Sequence, residues 1–145
     1  MSLTLEGPVV VPVADPDDGE RTANALLPFL GPTATVVVVN VIEKGGGTID
    51  KAPLAQRKEY AENAFDRTRE PLEAAGVTVE TEIRYGTDIV ETIFDGALER
   101  DADTVAFIPR RGNRFVELLT GTVARRLIKE AEIPVVALPQ GQAQA

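Results

Sequence analysis

Two uninterrupted apolar runs constrain the fold of this chain more than any other feature of its sequence. Val9–Val13 reads VVVPV and Thr35–Ile42 reads TVVVVNVI. Such continuous β-branched runs are typical of strands that are covered on both faces of a parallel sheet. Pro12 has no N–H group to donate to a ladder, so we place it at the carboxyl end of the first strand. The two runs therefore predict the centre of a parallel sheet with helices on both faces.

Segments with helical periodicity alternate with these strands. A first helix follows the acidic turn at Asp15 and is expected to stop at Gly31-Pro32. A longer helix is expected from about Pro53, and a third begins after Asp88, a suitable N-cap. The βαβαβαβαβ alternation, with right-handed crossovers, predicts a three-layer α/β/α sandwich.

The remaining strands complete one domain. Val77–Ile83 alternates apolar and polar residues, which predicts an edge strand, whereas Thr104–Ile108 reads as a buried fourth strand. A last apolar strand is predicted over Pro134, Val135, Val136, Ala137 and Leu138. A chain of 145 residues with 43% hydrophobic content is long enough for one core. We therefore predict a single domain over residues 1–139 and a flexible polar tail over residues 140–145.

Composition excludes several classes of function. The sequence contains no cysteine and no histidine, so catalysis by either residue and the common transition-metal sites are excluded, and we predict no metal site. The net charge of −8, concentrated in the first 100 residues, argues against nucleic acid as a partner. No apolar run approaches the roughly 20 residues of a membrane helix, and no signal-like start is present. These features favour a cytoplasmic protein that is not inserted in a membrane.

The acidity admits two interpretations. The four lysines are outnumbered by eleven arginines, a composition shared with proteins from salt-loving organisms. An ordinary acidic domain explains the same numbers equally well.

Ligands of doubly wound sheets bind at the carboxyl ends of the strands, where the strand order reverses. This rule places Ala14-Asp15, after the first strand, opposite Pro109-Arg110-Arg111-Gly112, after the fourth. Glycines and a helix N-terminus suit phosphate at such a crevice. The segment 45–47 is also glycine-rich, but no Lys-Ser/Thr helix start follows it, so we interpret residues 44–51 as a mobile loop.

The whole chain resembles a universal stress protein. The resemblance rests on the opening VVPV strand with its acidic turn, the second strand that ends in Asn40-Val41-Ile42-Glu43, the Gly86-Thr87-Asp88 helix start and the closing IPVVAL strand. It implies a five-stranded parallel sheet of order 3-2-1-4-5, the adenine-nucleotide α-hydrolase-like fold. It also implies a homodimer paired through the last strand and a regulatory role in the stress response, with a regulatory protein as a further partner.

Members of this family that bind ATP carry Gly-x-x-Gly, nine residues and Gly-Ser/Thr after the fourth strand, and this chain departs from that motif. Pro109 replaces the first glycine, and only eight residues separate Gly112 from Gly121. At the end of the first strand, Ala14 stands where the binders have Asp, and Asp15 follows one position later. The resemblance therefore implies an altered nucleotide site, with no certain cofactor and weak ATP binding at most.

The family motif, carried over by position, implies eight nucleotide contacts. They are Val13, Asp15, Val41, Arg111, Gly112, Gly121, Thr122 and Val123. Simpler explanations remain open for three groups. Gly121-Thr122 is equally suited to cap the last helix, and surface ion pairs explain the arginines of residues 110–114 slightly better than phosphate contact does. The carboxylates of residues 15–18 suit either Mg²⁺ or an ordinary turn.

Three classes of function follow. The first is a non-enzymatic, dimeric regulatory module with an altered nucleotide site, and the second is a nucleotide-dependent switch that binds ATP or AMP. An adenylyl-transferring enzyme of the same architecture is the third. Such enzymes carry a Ser-Gly-Gly type loop after the first strand, where this chain has Ala14-Asp15-Pro16-Asp17. The sequence therefore favours the first class over the second and argues against the third.

Overall fold

The computed structural model describes residues 3–44, 51–109 and 121–139. Its strands are β1 (Pro8–Pro12), β2 (Thr35–Glu43), β3 (Thr78–Gly86), β4 (Thr104–Phe107) and β5 (Val135–Ala137). Its helices are α1 (Pro16–Leu26), α2 (Lys51–Ala74), α3 (Ile89–Glu99) and α4 (Gly121–Lys129). The glycine-rich loop, the expected contacts at Arg111 and Gly112 and the C-terminal tail lie outside the described residues.

All five strands form one parallel sheet of order β3-β2-β1-β4-β5, which confirms the predicted fold. The central strand β1 pairs on one side with β2, where Val10 lies opposite Val37. On the other side β1 pairs with β4, where Val10 lies opposite Val105. The strand order therefore reverses beside β1, and the ends of β1, β2 and β4 share one edge of the sheet.

The hydrophobic core has two layers, one on each face of the sheet, because successive strand residues point to opposite faces. Val10 and Val37 pack with α3 and α4, whereas Val9, Val11 and Val36 pack with α1 and α2. Every residue of β2 from Val36 to Ile42 is buried, so this strand is covered on both faces as its composition predicts.

Proline determines two element ends. Pro12 ends β1, as its missing N–H predicts. Helix α1 ends at Leu26 and continues only as a 3₁₀ turn over Leu27–Phe29, so the expectation of one helix up to Gly31-Pro32 is wrong. Pro28 is the physical reason, because proline inside a helix removes one hydrogen bond and clashes with the preceding turn.

Hydrogen bonds beyond the strand ends fix the edge at which a ligand would bind. The Val13 N–H donates to the Val39 carbonyl at 2.9 Å, and the Asn40 side-chain amide donates to the Val13 carbonyl at 2.8 Å. The Lys44 N–H donates to the Gly86 carbonyl at 2.7 Å and joins the end of β2 to the end of β3. None of the described helices is both long enough and apolar enough to cross a membrane.

Candidate functional site

A cavity of about 340 Å³ lies at the carboxyl edge of the sheet. It lies between the end of β2, the β3–α3 turn and the first turns of α4. Its described lining consists of Glu43, Thr87, Asp88, Ile89, Thr122, Val123 and Arg126. Most of these side chains are polar or charged, and only Ile89 and Val123 are apolar, so the cleft suits a polar ligand better than an apolar one. We refer to this cavity as the cleft.

The α3 wall of the cleft is fixed by a close approach between Gly86 and Thr92. A Cβ atom on Gly86 would lie 2.0 Å from Thr92 Oγ1, so only glycine allows the end of β3 to pass this close to α3. Thr92 Oγ1 in turn donates to the Asp88 carbonyl at 2.6 Å. The Asp88 carboxylate accepts the Glu91 N–H at 3.1 Å and caps α3, as the sequence predicts. These contacts therefore fix the conformation of the turn that carries Thr87 and Asp88.

The opposite wall of the cleft is the beginning of α4. Val123 is buried in the core, whereas Thr122 is exposed to the cleft. Outside the helix itself, no described atom lies within 4 Å of a Cβ built on Gly121. The first N–H groups of a helix have no partner within the helix, and the dipole is positive there. This wall is therefore suited to an anionic group.

An ion-pair cluster joins the two walls. Arg126 Nη2 lies 3.0 Å from Asp88 Oδ2, and Arg126 Nε lies 2.8 Å from Glu130 Oε2. The pKa of Arg126 is raised, chiefly by its hydrogen bond to Glu130 and then by that to Asp88. The pKa of Asp88 is lowered, first by the Glu91 N–H and then by Arg126. The pKa of Glu130 is lowered by Arg126. All three groups are therefore held in their charged forms.

The carboxylates that follow β1 stabilise α1. Asp15 Oδ1 accepts the Asp18 N–H at 2.7 Å and acts as the N-cap of α1, and Asp18 Oδ2 accepts the Ala14 N–H at 2.8 Å. Both Asp15 and Asp18 are buried. The Asp-x-x-Asp spacing resembles a capping box and is the sequence signal that would have predicted this arrangement. Across the described residues, no group of three or more acidic side chains is placed to share a metal ion.

Neighbouring residues at the end of β1 lie on different faces of the sheet. Val13 belongs to the core layer under α1 and α2, whereas Ala14 packs against the layer under α3 and α4. Val41 and Val123 share the layer that Ala14 contacts. The cleft side of the sheet therefore presents the methyl group of Ala14, while the carboxylate of Asp15 caps α1.

Only part of the predicted contact set lines the cleft. Thr122 and Val123 line it, and Gly121 immediately precedes them. Val13, Val41 and Asp15 are buried near the same edge without lining the cavity. The lining residues that the sequence reasoning missed are Glu43, Thr87, Asp88, Ile89 and Arg126. Asp88 was interpreted there only as a helix cap and Arg126 was not assigned to the site, because their contact joins segments 38 residues apart.

Comparisons with known proteins agree with this fold. The model of the universal stress protein family matches residues 7–139. The structure of a universal stress protein from Archaeoglobus fulgidus is 26% identical with a TM-score of 0.65, and the match covers 93% of this chain and 95% of that one. A structure of the universal stress protein from Archaeoglobus fulgidus in complex with dAMP is 25% identical with a TM-score of 0.63, covering 94% and 100% of the two chains.

A family member from Arabidopsis thaliana with AMP bound is 16% identical, with a TM-score of 0.65 and 94% of each chain covered, and at this identity it supports the fold alone. No curated protein matches this chain. The family match spans nearly the whole sequence, and the strand order and helix positions agree with it. This chain belongs to the universal stress protein family.

Proposed function

We propose that this chain is a non-enzymatic regulatory module of the universal stress protein family that binds an adenine nucleotide weakly in an altered cleft and does not retain ATP. The observation that carries the proposal concerns the two residues Ala14 and Asp15, which follow β1. Ala14 offers the cleft side no carboxylate, and the carboxylate of Asp15 is already engaged as the cap of α1. A ribose or a metal-bound phosphate thus loses an anchor at this position.

Nucleotide binding is supported by the cleft itself. Its volume of about 340 Å³ lies within the usual range of ligand pockets. The positive end of the α4 dipole and the exposed hydroxyl of Thr122 suit one phosphate group. The Archaeoglobus fulgidus relative that is 25% identical forms a complex with dAMP. We therefore expect a nucleoside monophosphate to be the better ligand.

Weak binding of ATP is supported by charge and backbone chemistry. The described lining carries two carboxylates, Glu43 and Asp88, against the single cation Arg126. Arg126 is further neutralised by Glu130. After β4, Pro109 replaces a glycine of the family motif and contributes no N–H group to an anion. Within the described lining, a triphosphate therefore meets an excess of negative charge, and Pro109 offers it no backbone donor.

We also propose that the protein acts as a cytoplasmic homodimer paired along β5, with a regulatory protein as its further partner. Strand β5 is an edge of the sheet, and Val135 and Val136 on it are only half-buried in the single chain. An uncovered apolar edge favours pairing with a second copy. Light scattering at micromolar concentration is expected to give twice the mass of one chain, and a monomer would contradict this part of the proposal.

The nucleotide part is tested in two steps. Mass spectrometry of denatured, freshly purified protein is expected to detect no stoichiometric ATP. Calorimetric titration is expected to give a dissociation constant of about 0.1 to 1 mM for AMP, or about −5 to −4 kcal/mol, and weaker binding of ATP. Stoichiometric ATP in the purified protein would refute the proposal.

A negative charge introduced at Gly121 tests whether the phosphate of AMP binds at the N-terminus of α4. Gly121→Asp is expected to abolish AMP binding, because it places a carboxylate at the positive end of α4. Gly121→Asn is the matched control with the same shape and no charge, and it is expected to bind AMP nearly as the original chain does. The open space around Gly121 accommodates either side chain within the described part of the chain. Equal affinities of the two variants for AMP would exclude an anion site at α4.

A further inference from the structure

We infer that Glu43 determines the specificity of the cleft and selects nucleotides whose base carries an exocyclic amine. This inference rests on the proposed function, because it requires that a nucleotide enters the cleft. It identifies the part of the ligand that the β2 side of the cleft would bind.

Glu43 is held at the cleft by its backbone while its side chain remains available. It is the last residue of β2 and lies opposite Gly86 in the register with β3. Its carbonyl accepts a hydrogen bond from Arg57 Nη2 at 3.2 Å. Glu43 is exposed and lines the cleft. It lies two positions beyond Val41, so both side chains are on the same face of the strand.

Of the two carboxylates in the described lining, that of Glu43 is the one without a partner among the described residues. The other lining carboxylate, Asp88, accepts the Glu91 N–H and pairs with Arg126. Among the described residues, no cation pairs with the Glu43 carboxylate. The adjacent Lys44 instead places its ammonium group 5.9 Å from the centroid of the Tyr85 ring. Glu43 therefore has the capacity to accept a hydrogen bond from a ligand.

The charges of the described lining favour one orientation of a bound nucleotide. The α4 wall presents the positive end of a helix dipole at Thr122, whereas the β2 side presents a negative charge at Glu43. The phosphate is consequently directed to Thr122, and the base is directed to Glu43. An ionised carboxylate accepts hydrogen bonds and donates none. The group that suits it is an amine such as the one on C6 of adenine.

The test compares AMP with purine riboside 5′-monophosphate, which lacks the amine and is otherwise the same molecule. Titration of isotopically labelled protein followed by NMR measures dissociation constants in the millimolar range. We expect AMP to bind about tenfold more tightly, because one charge-assisted hydrogen bond is lost with the amine. Glu43→Ala is expected to reduce this ratio to about one. Glu91→Ala is the matched control, since Glu91 is an exposed carboxylate outside the described lining, and it should keep the tenfold ratio.

Each result is decisive. A ratio near one in the original chain, with both ligands bound, would overturn the role of Glu43 and leave nucleotide binding intact. A tenfold ratio that persists in Glu43→Ala would overturn it as well. If neither ligand binds at millimolar concentration, both the inference and the nucleotide part of the proposed function fail.

Discussion

The first turns of α1 and α4 lie at the same edge of the sheet, and they differ in the side chains that they carry. At α1, the cap is Asp15, its carboxylate is buried, and Asp18 closes the turn by accepting the Ala14 N–H. At α4, the helix begins with Gly121 and the exposed Thr122, next to an open cleft. The first turn of α1 therefore carries acidic side chains of its own, whereas the first turn of α4 carries none.

The difference shows how the side chains in the first turn of a helix disfavour or favour an anionic ligand there. A carboxylate at the N-terminus supplies both the hydrogen-bond acceptor and the negative charge that the helix dipole favours, so an anionic ligand has nothing left to bind. Gly121 and Thr122 add no negative charge to the first turn of α4, so the dipole there still favours a phosphate. Helix α3 combines both features. Asp88 caps the helix with its carboxylate, and the same carboxylate pairs with Arg126 across the cleft.

The largest effect is expected from removal of the α1 cap. Asp15→Ala should lower the free energy of unfolding by about 1 to 2 kcal/mol, because the buried Asp18 N–H loses its acceptor. Urea denaturation measures this change. Asp17→Ala, in the same turn but exposed at the surface, is the control and should cost less than about 0.5 kcal/mol. AMP affinity should be unchanged in Asp15→Ala, and a clear loss would show that Asp15 serves the ligand as well.

An intermediate effect is expected at α3. Asp88→Asn keeps a good N-cap and removes the charge that pairs with Arg126, so we expect a loss of about 0.5 kcal/mol at neutral pH, since both side chains are about one-third exposed. The folded-state pKa of Asp88 lies below its ordinary value of 3.8. The stabilisation is therefore fully present above pH 3.8 and is lost as the pH falls through the folded-state pKa.

Denaturation of both proteins between pH 7 and pH 2 measures this dependence on pH. The difference between the original chain and Asp88→Asn should vanish at the acidic end. Added salt should also reduce it at neutral pH, because the pair is partly exposed. A difference that stays constant down to pH 2 would show that the charge of Asp88 is not its source.

The smallest change in stability is expected at α4. Thr122→Ala should alter the free energy of unfolding by less than about 0.5 kcal/mol, because the side chain is exposed to the cleft. The same variant should weaken AMP binding, since it removes a hydroxyl from the phosphate end. A loss of about 1 kcal/mol in stability without a change in AMP affinity would instead identify Thr122 as a structural cap.

The sequence predicts the strand positions and most element ends well, because the residues that determine them are close together in the chain. Continuous β-branched runs identify β1 and β2 as central strands, and alternation identifies β3 as an edge. Pro12 and Asp88 mark element ends through their own backbone chemistry. Pro28 was overlooked, and the apolar spacing that continues to Leu30 extended the predicted α1 beyond its true end.

The candidate site could be predicted only in part, because its lining comes from distant segments. Thr122 and Val123 follow from the family motif, whereas Glu43 and Arg126 reach the cleft through strand register and helix packing. Asp18 illustrates the same limit. Its position in an acidic turn suggests an exposed carboxylate, but the side chain is buried and accepts the Ala14 N–H.

The sequence by itself determined the order of strands and helices, the parallel sheet and the departures from the ATP motif at Ala14, Pro109 and the eight-residue spacing. These features depend on periodicity and on the chemistry of single residues. Only the tertiary structure decided that Asp18 is buried, that Asp88 and Arg126 join the walls of the cleft and that Glu43 lines it. The physical reason is that hydrogen bonds and charges act over a few ångströms in space, whatever their separation along the chain.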